Sequence, residues 1–216
     1  MKTEPSSYYP IFLNVSGKKC MVVGGGQVAL RKARALLSSG ANIEVISPAL
    51  CSELDRLAED GEITVLRKHY QPGDLRGAFI AIAATDDRRI NLEVAKEARE
   101  TAIPVNVVDD ADSSDFILPS CICRGDVTIA ISTAGRSPAL ARKIRTRLEK
   151  DLGDEYAALA LLIAEVRAEV KDQGIKVNGD DWQKALDLDL MLDLLKKGDR
   201  EKAGTVLLDN LKTLQK

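Results

Sequence analysis

Lys19-Cys20-Met21-Val22-Val23-Gly24-Gly25-Gly26-Gln27-Val28-Ala29-Leu30 is the stretch whose reading decides the fold. Its first five residues form a short apolar run that three glycines stop. From Val28 to Ser39 the apolar residues recur at helical spacing, and Gly40 follows as a natural stop. Gly24-x-Gly26-x-x-Ala29 therefore sits between a strand and a helix, the setting of the dinucleotide fingerprint. In that setting Gly24 permits the tight turn, Gly26 lets the backbone approach a pyrophosphate, and Ala29 lets helix and strand pack closely. The helix start offers free N–H groups and partial positive charge to the anion. A ligand-free glycine turn is the plainer reading, but the alternation that follows favours a nucleotide.

Working outward, Ile43–Ile46, Ile63–Leu66, Phe79–Ala84 and Val105–Val108 read as further strands. Leu50–Asp60 reads as a helix ended by Gly61, and Thr85, Asp86 and Asp87 offer caps for another running to about Thr101. Strands separated by helices predict an α/β fold with a Rossmann-like, doubly wound parallel sheet and right-handed crossovers. After Asp110 the pattern changes. Ala111–Asp115 reads as a polar loop, and Phe116–Cys123 and Val127–Ser132 as a hairpin around Arg124-Gly125-Asp126. A helix is expected from Ser137 or Pro138 to about Lys150. Beyond Glu155 the sequence reads as purely helical, with Leu159, Leu162, Ile163, Val166 and Val170 at helical spacing. Trp182–Leu195 and Arg200–Leu214 follow, hinged at Lys197-Gly198-Asp199.

An acidic residue at the tip of the second strand, which binds ribose hydroxyls in many such folds, is missing. The tip is Ser47-Pro48-Ala49, and Glu44 lies inside the strand. The choice between NAD and NADP therefore stays open on this criterion. Arg31 and Lys32 on the first helix could face a phosphate or form a solvated helix face. Asp109 and Asp110 end the fifth strand, at the carboxyl edge where such sheets bind ligands. If the chain stays extended there, only one of the two can face the pocket.

Composition excludes several classes. The chain has 216 residues, 31 Lys and Arg against 33 Asp and Glu, and 45% hydrophobic residues. That balance argues against a general nucleic-acid binder. No apolar run approaches the ~20 residues of a membrane span, and Met1 to Pro10 lack a secretory signal core. One histidine excludes His-rich metal sites and most triads. His69 precedes a turn and reads as a surface residue. The four cysteines do not form a secreted disulfide pattern, so a reducing cytoplasm is expected. Cys121 and Cys123 share one face of a strand, and a Cys-x-Cys pair alone is a poor zinc site.

Several segments occur in a familiar order: Gly24-Gly25-Gly26-Gln27-Val28-Ala29 with Arg31-Lys32-Ala33, Ala81-Ile82-Ala83-Ala84-Thr85-Asp86-Asp87, Asn106-Val107-Val108-Asp109, Phe116-Ile117-Leu118-Pro119-Ser120, and Ile131-Ser132-Thr133-Ala134-Gly135-Arg136-Ser137-Pro138-Ala139-Leu140-Ala141-Arg142. The set resembles the precorrin-2 dehydrogenase family, the N-terminal module of siroheme synthases, over about residues 8 to 150. The resemblance implies oxidation of precorrin-2 to sirohydrochlorin with NAD, and in some members ferrous iron insertion to give siroheme. It implies a Rossmann domain over 1–112, a small α+β dimerisation domain over 113–150 and a helical domain over 151–216, paired as a homodimer. The methyltransferase half of the fused synthases lies beyond the resemblance, and methylation is not expected.

By the same resemblance the catalytic carboxylate is Asp109. Cofactor contacts fall on Gly24, Gly25, Gly26, Gln27 and Val28, on Pro48 and Ala49, and on Ala84, Thr85 and Asp86. The family also lacks an acid at the second-strand tip. A substrate with eight carboxylates calls for cations, and Arg136 and Arg142, with Ser137 beside them, are the substrate-binding expectation. Lys143 is a further cation there, while Arg145 and Arg147 read as a solvated helix face. The competing expectation is a non-catalytic nucleotide-sensing module on the same sheet. Such modules keep the acid at the second-strand tip and lack the Phe-Ile-Leu-Pro-Ser and Ser-Pro-Ala-Leu-Ala-Arg segments.

Overall fold

Five short apolar runs become five parallel strands, because each carries side chains that two helical layers bury. The computed structural model describes residues 8–214; of the Met1–Pro10 segment read for a secretory signal, residues 1–7 lie outside them. Strands β1 (Lys19–Val23), β2 (Asn42–Ile46), β3 (Ile63–Leu66), β4 (Ile80–Ala83) and β5 (Val105–Val107) form one sheet in the order β3-β2-β1-β4-β5, every pair parallel. Helices α1 (Gln27–Leu37), α2 (Ser52–Glu59) and α3 (Arg88–Glu100) connect them.

Alternation along each strand feeds two cores. Cys20 and Val22 of β1 join Ala29, Leu30 and Ala33 of α1, while Met21 and Val23 join Val94, Ala95 and Ala98 of α3. Burial on both faces is what a parallel sheet needs. The chain winds outward from β1 to β3 and then restarts at β4. The strand order therefore reverses between β1 and β4, where open sheets of this kind bind ligands.

β5 is an edge strand, and its outer side is covered by the segment that follows it. Asp115 donates its N–H to the Val105 carbonyl at 2.8 Å and accepts the Val105 N–H on Oδ2 at 3.0 Å. The Ser114 hydroxyl accepts the Val107 N–H at 2.8 Å. The polar stretch read as a loop thus satisfies an edge that would otherwise be open. Beside it, the Glu97 carboxylate accepts from the Tyr70 hydroxyl and, at 2.9 Å each, from the Gly73 and Leu75 N–H groups. Burial, then that bond, pushes the Tyr70 phenol far above its usual range.

The chain divides into two compact units between Leu118 and Pro119. In the second, β6 (Ser120–Arg124) and β7 (Val127–Ile131) pair antiparallel around Gly125, whose φ is +55°. The expected strand from Phe116 is shorter, and begins only at Ser120. Helix α4 (Pro138–Leu148) packs on this hairpin. Helices α5 (Glu155–Asp172), α6 (Gly179–Ala185), α7 (Leu188–Lys196) and α8 (Arg200–Thr213) bury Leu159, Leu162, Val166 and Val170 against Met191, Leu194, Leu207 and Leu211.

The helix expected over Trp182–Leu195 is in fact two. Leu186 leaves the helical region at ψ 88°, and the Asp187 side chain accepts the Leu190 N–H at 3.1 Å, capping α7 afresh. Among the described residues no helix is long and apolar enough to cross a membrane.

Replacing Glu97 by Ala leaves three donors without their acceptor. Urea unfolding should show a loss of roughly 2 kcal/mol, and an unchanged midpoint would show that water replaces the carboxylate at no cost.

Candidate active site

The three glycines of the fingerprint are held by different constraints. Gly24 has φ +130°, and a Cβ there would overlap the Ala84 carbonyl at the end of β4. A Cβ on Gly25 would overlap the Ala49 carbonyl and come within 2.6 Å of the Ser47 hydroxyl. Gly26 has nothing within 4 Å of its would-be Cβ. It is the N-cap of α1, with no side-chain cap and no acidic residue in the first turn. The first N–H groups of α1 thus lack both intrahelical and side-chain acceptors. This is an open cradle fitted to an anion, and it suits the pyrophosphate of a dinucleotide. Ala29 is fully buried, in the close-packing role its spacing suggested. The spacing assigned nothing to Gly25, yet that position is the most crowded of the three.

The tip of β2 folds back onto this loop. Cys51 donates its N–H to the Gly25 carbonyl at 2.8 Å, and the buried Ser47 donates its hydroxyl to the Ala49 carbonyl at 2.6 Å. Pro48 and Ala49 are exposed beside the cradle. Glu44 is engaged elsewhere, 3.0 Å from the Lys19 ammonium.

The turn after β4 is fixed by a residue that the sequence reading missed. Asn91 is buried on α3, and its Oδ1 accepts the Thr85 N–H at 3.1 Å and the Thr85 hydroxyl at 2.8 Å. Its Nδ2 donates to the Thr85 carbonyl at 2.9 Å. An asparagine in line with Val94, Ala95 and Ala98 on the otherwise apolar inward face of a charged helix was the available signal. Ala84 is tied to β1 through the Val23 carbonyl at 2.8 Å, Asp86 is exposed, and Asp87 caps α3.

At Asp109 the extended form does not persist. β5 ends at Val107, the Asp110 N–H returns to the Val107 carbonyl at 3.2 Å, and Asp109 takes φ +60°. The two aspartates therefore do not alternate across a strand. Both line one concavity of about 360 Å³ with Asp86, Arg88 and Asn91. They differ in what holds them. Asp110 accepts from the Ser113 N–H at 3.1 Å and the Ser113 hydroxyl at 3.0 Å, with the Arg88 guanidinium 3.9 Å away. The Asp109 carboxylate accepts no hydrogen bond from another described residue and is exposed. The Lys32 ammonium is pushed below its usual range by burial and by Arg31, and the negative charge of Asp109 works against that shift. Among the described residues no three His, Cys, Asp or Glu side chains gather as metal ligands.

Arg136, Ser137 and Arg142 belong to the second unit. The Ser137 hydroxyl accepts the Leu140 N–H at 3.2 Å as the cap of α4, and its own N–H donates to the Thr133 hydroxyl at 3.0 Å. Arg136 and Arg142 are exposed, and Arg145 pairs with Glu149 at 2.8 Å. Cys121 and Cys123 are exposed on either side of the buried Ile122, and His69 is exposed.

Gly25→Ala and Gly26→Asp should separate stability from binding. The first forces two backbone segments apart and should cost roughly 1 to 3 kcal/mol in thermal unfolding. The second should leave the melting temperature nearly unchanged while abolishing NAD binding in a calorimetric titration. Normal NAD affinity in Gly26→Asp would remove the loop from the site.

Residues 11–120 match the family model described as "Putative NAD(P)-binding", and residues 124–151 match that of the sirohaem biosynthesis protein central region. The siroheme synthase of Chromobacterium violaceum is 46% identical over 164 residues, which cover 76% of this chain and 35% of that protein. The siroheme synthase of Methylococcus capsulatus is 41% identical over 205 residues, covering 94% of this chain and 43% of that protein. The chain thus spans well under half the length of these curated relatives. A solved structure of SirC, precorrin-2 dehydrogenase, superposes with a TM-score of 0.70 at 24% identity, over 95% of this chain and all of that one. It has the same fold.

Proposed function

The chain belongs to this NAD(P)-binding family, and we propose that it is an NAD-dependent dehydrogenase that converts precorrin-2 to sirohydrochlorin. The observation that carries the reading is the exposed Asp109 carboxylate, with no hydrogen bond from another described residue, on the concavity at the carboxyl ends of β4 and β5, in the same unit as the glycine cradle. The names of the siroheme synthases and of the structural neighbour support the choice of substrate.

In this proposal Gly24 to Val28 hold the pyrophosphate, Pro48 and Ala49 border the adenosine end, and Ala84 to Asp86 border the nicotinamide end. NAD supplies the hydride acceptor when bound. The chain's own task is the proton. Loss of two hydrogens from the macrocycle as hydride and proton requires a base, and Asp109 takes that proton on its carboxylate. Asp110 keeps the turn in shape through Ser113. Arg136, Ser137 and Arg142 are proposed to meet the substrate's carboxylates. Ferrous iron entering sirohydrochlorin displaces two pyrrole protons, and the same exposed carboxylate would accept them one at a time, releasing each to solvent. Iron insertion to give siroheme is thus the second reaction proposed, with iron as its substrate.

We further propose a homodimer, with residues 113–150 as the dimerisation region and 151–216 as a helical domain. The outer edges of β6 and β7 have no strand partner among the described residues, which supports pairing there. Four free cysteines support a cytoplasmic location.

Asp109→Asn keeps a side chain that tolerates positive φ, so the fold and NAD binding should survive. NADH formation from precorrin-2 should fall by roughly 100- to 10,000-fold, and iron insertion into supplied sirohydrochlorin should fall with it. Full dehydrogenase activity in that variant would sink Asp109 as the base. For the assembly, light scattering at micromolar concentration should give about twice the 23.4 kDa of the chain; a monomer mass would refute the dimer.

A further inference from the structure

The tip of β2 carries no acid, and its backbone is packed on the glycine loop. The Ala49 carbonyl occupies the space against Gly25, and Ser47 is buried and bonded to that same carbonyl. Two residues beyond the Cys51–Gly25 bond, however, the first turn of α2 brings a carboxylate back to the glycine loop. Gln27, the first residue of α1, donates from Nε2 to Glu53 Oε2 at 3.3 Å. Ser52 donates its hydroxyl to the same oxygen at 2.9 Å. No donor from another described residue is bonded to Oε1. Glu53 is half-buried, so it is fixed without being shut away.

We infer that Glu53 is the residue that selects the ribose of the cofactor, accepting the adenosine hydroxyls of NAD and repelling the 2′-phosphate of NADP. The inference rests on the dinucleotide reading of the glycine loop. Three observations support it. Glu53 is tied to the residue that follows Gly26, so its charge stands at the adenosine side of the cradle. The hydrogen bond from Ser52, then that from its own backbone N–H, with smaller help from Gln27 and Arg34, holds its carboxyl below the usual range, so the group stays ionised at neutral pH. The alternative acid, Glu44, is spent on Lys19 within the sheet. A carboxylate accepts from a ribose diol and cannot donate to a phosphate dianion, so one group both attracts NAD and excludes NADP.

Calorimetric titration with NAD and with NADP tests this without any turnover. The wild-type chain should bind NAD more tightly. Glu53→Gln removes the charge and keeps the shape, so the NADP-to-NAD affinity ratio should rise by roughly 10- to 100-fold. Glu53→Asp keeps the charge and withdraws it by one methylene. It should weaken NAD while still rejecting NADP. Glu44→Gln, which also removes one negative charge, should leave the ratio unchanged. An unchanged ratio in Glu53→Gln, or equal wild-type affinities, would overturn the role of Glu53 while leaving the dinucleotide site intact. A wild-type chain that binds neither nucleotide would overturn the dinucleotide reading itself.

Discussion

Backbone packed directly on backbone is the constraint from which this site follows. At Gly24 and Gly25 the chain passes so close to the Ala84 and Ala49 carbonyls that a single methyl group would overlap them. Those contacts hold the ends of β1, β2 and β4 together at one point. With the loop pinned from both sides, α1 starts in a fixed direction and its first N–H groups face open space. The free approach at Gly26 depends on the crowding at the two glycines before it. A cradle for an anion is thus the by-product of two steric exclusions and one absence.

The same logic places the acids. A turn after β5 puts Asp109 at positive φ and lets Asp110 take up the local donors, so one carboxylate becomes structural and leaves its neighbour available. Asn91 does comparable work on the β4 side, closing the Thr85 turn with three bonds from one buried amide. Both devices are short-range hydrogen-bond circuits around strand ends. They hold the site by satisfying backbone groups that the sheet itself leaves unpaired.

Much of this was legible in the sequence. Apolar runs with glycine stops gave the order of β1 to β5 and the position of the cradle, because the burial that creates the runs also creates the sheet. The resemblance pointed to Asp109. Three things were out of reach. The role of Gly25 depends on a carbonyl 24 residues away in the chain, at Ala49, and no local pattern encodes that approach. The geometry at Asp109 and Asp110 hung on a condition the sequence cannot test, because period-2 alternation holds only while the chain is extended, and Val107 ends that state. The break at Leu186–Asp187 was hidden because the apolar spacing runs on through it, while the aspartate cap overrides the spacing.

The cover over β5 has a further consequence for how the sheet meets its surroundings. A parallel sheet has two edges, and each is a template on which a stray strand can grow. Here one edge is sealed by Ser114 and Asp115 in place of a strand. The other, β3, is only four residues long, too short to offer much to a neighbour. Growth by strand addition is thereby blocked at one end and unrewarding at the other. In the second sheet β6 and β7 pair only with each other, so each keeps an outer edge with no strand partner among the described residues. The parallel sheet thus offers little to an added strand, and the two-stranded hairpin is the sheet whose edges remain open to one.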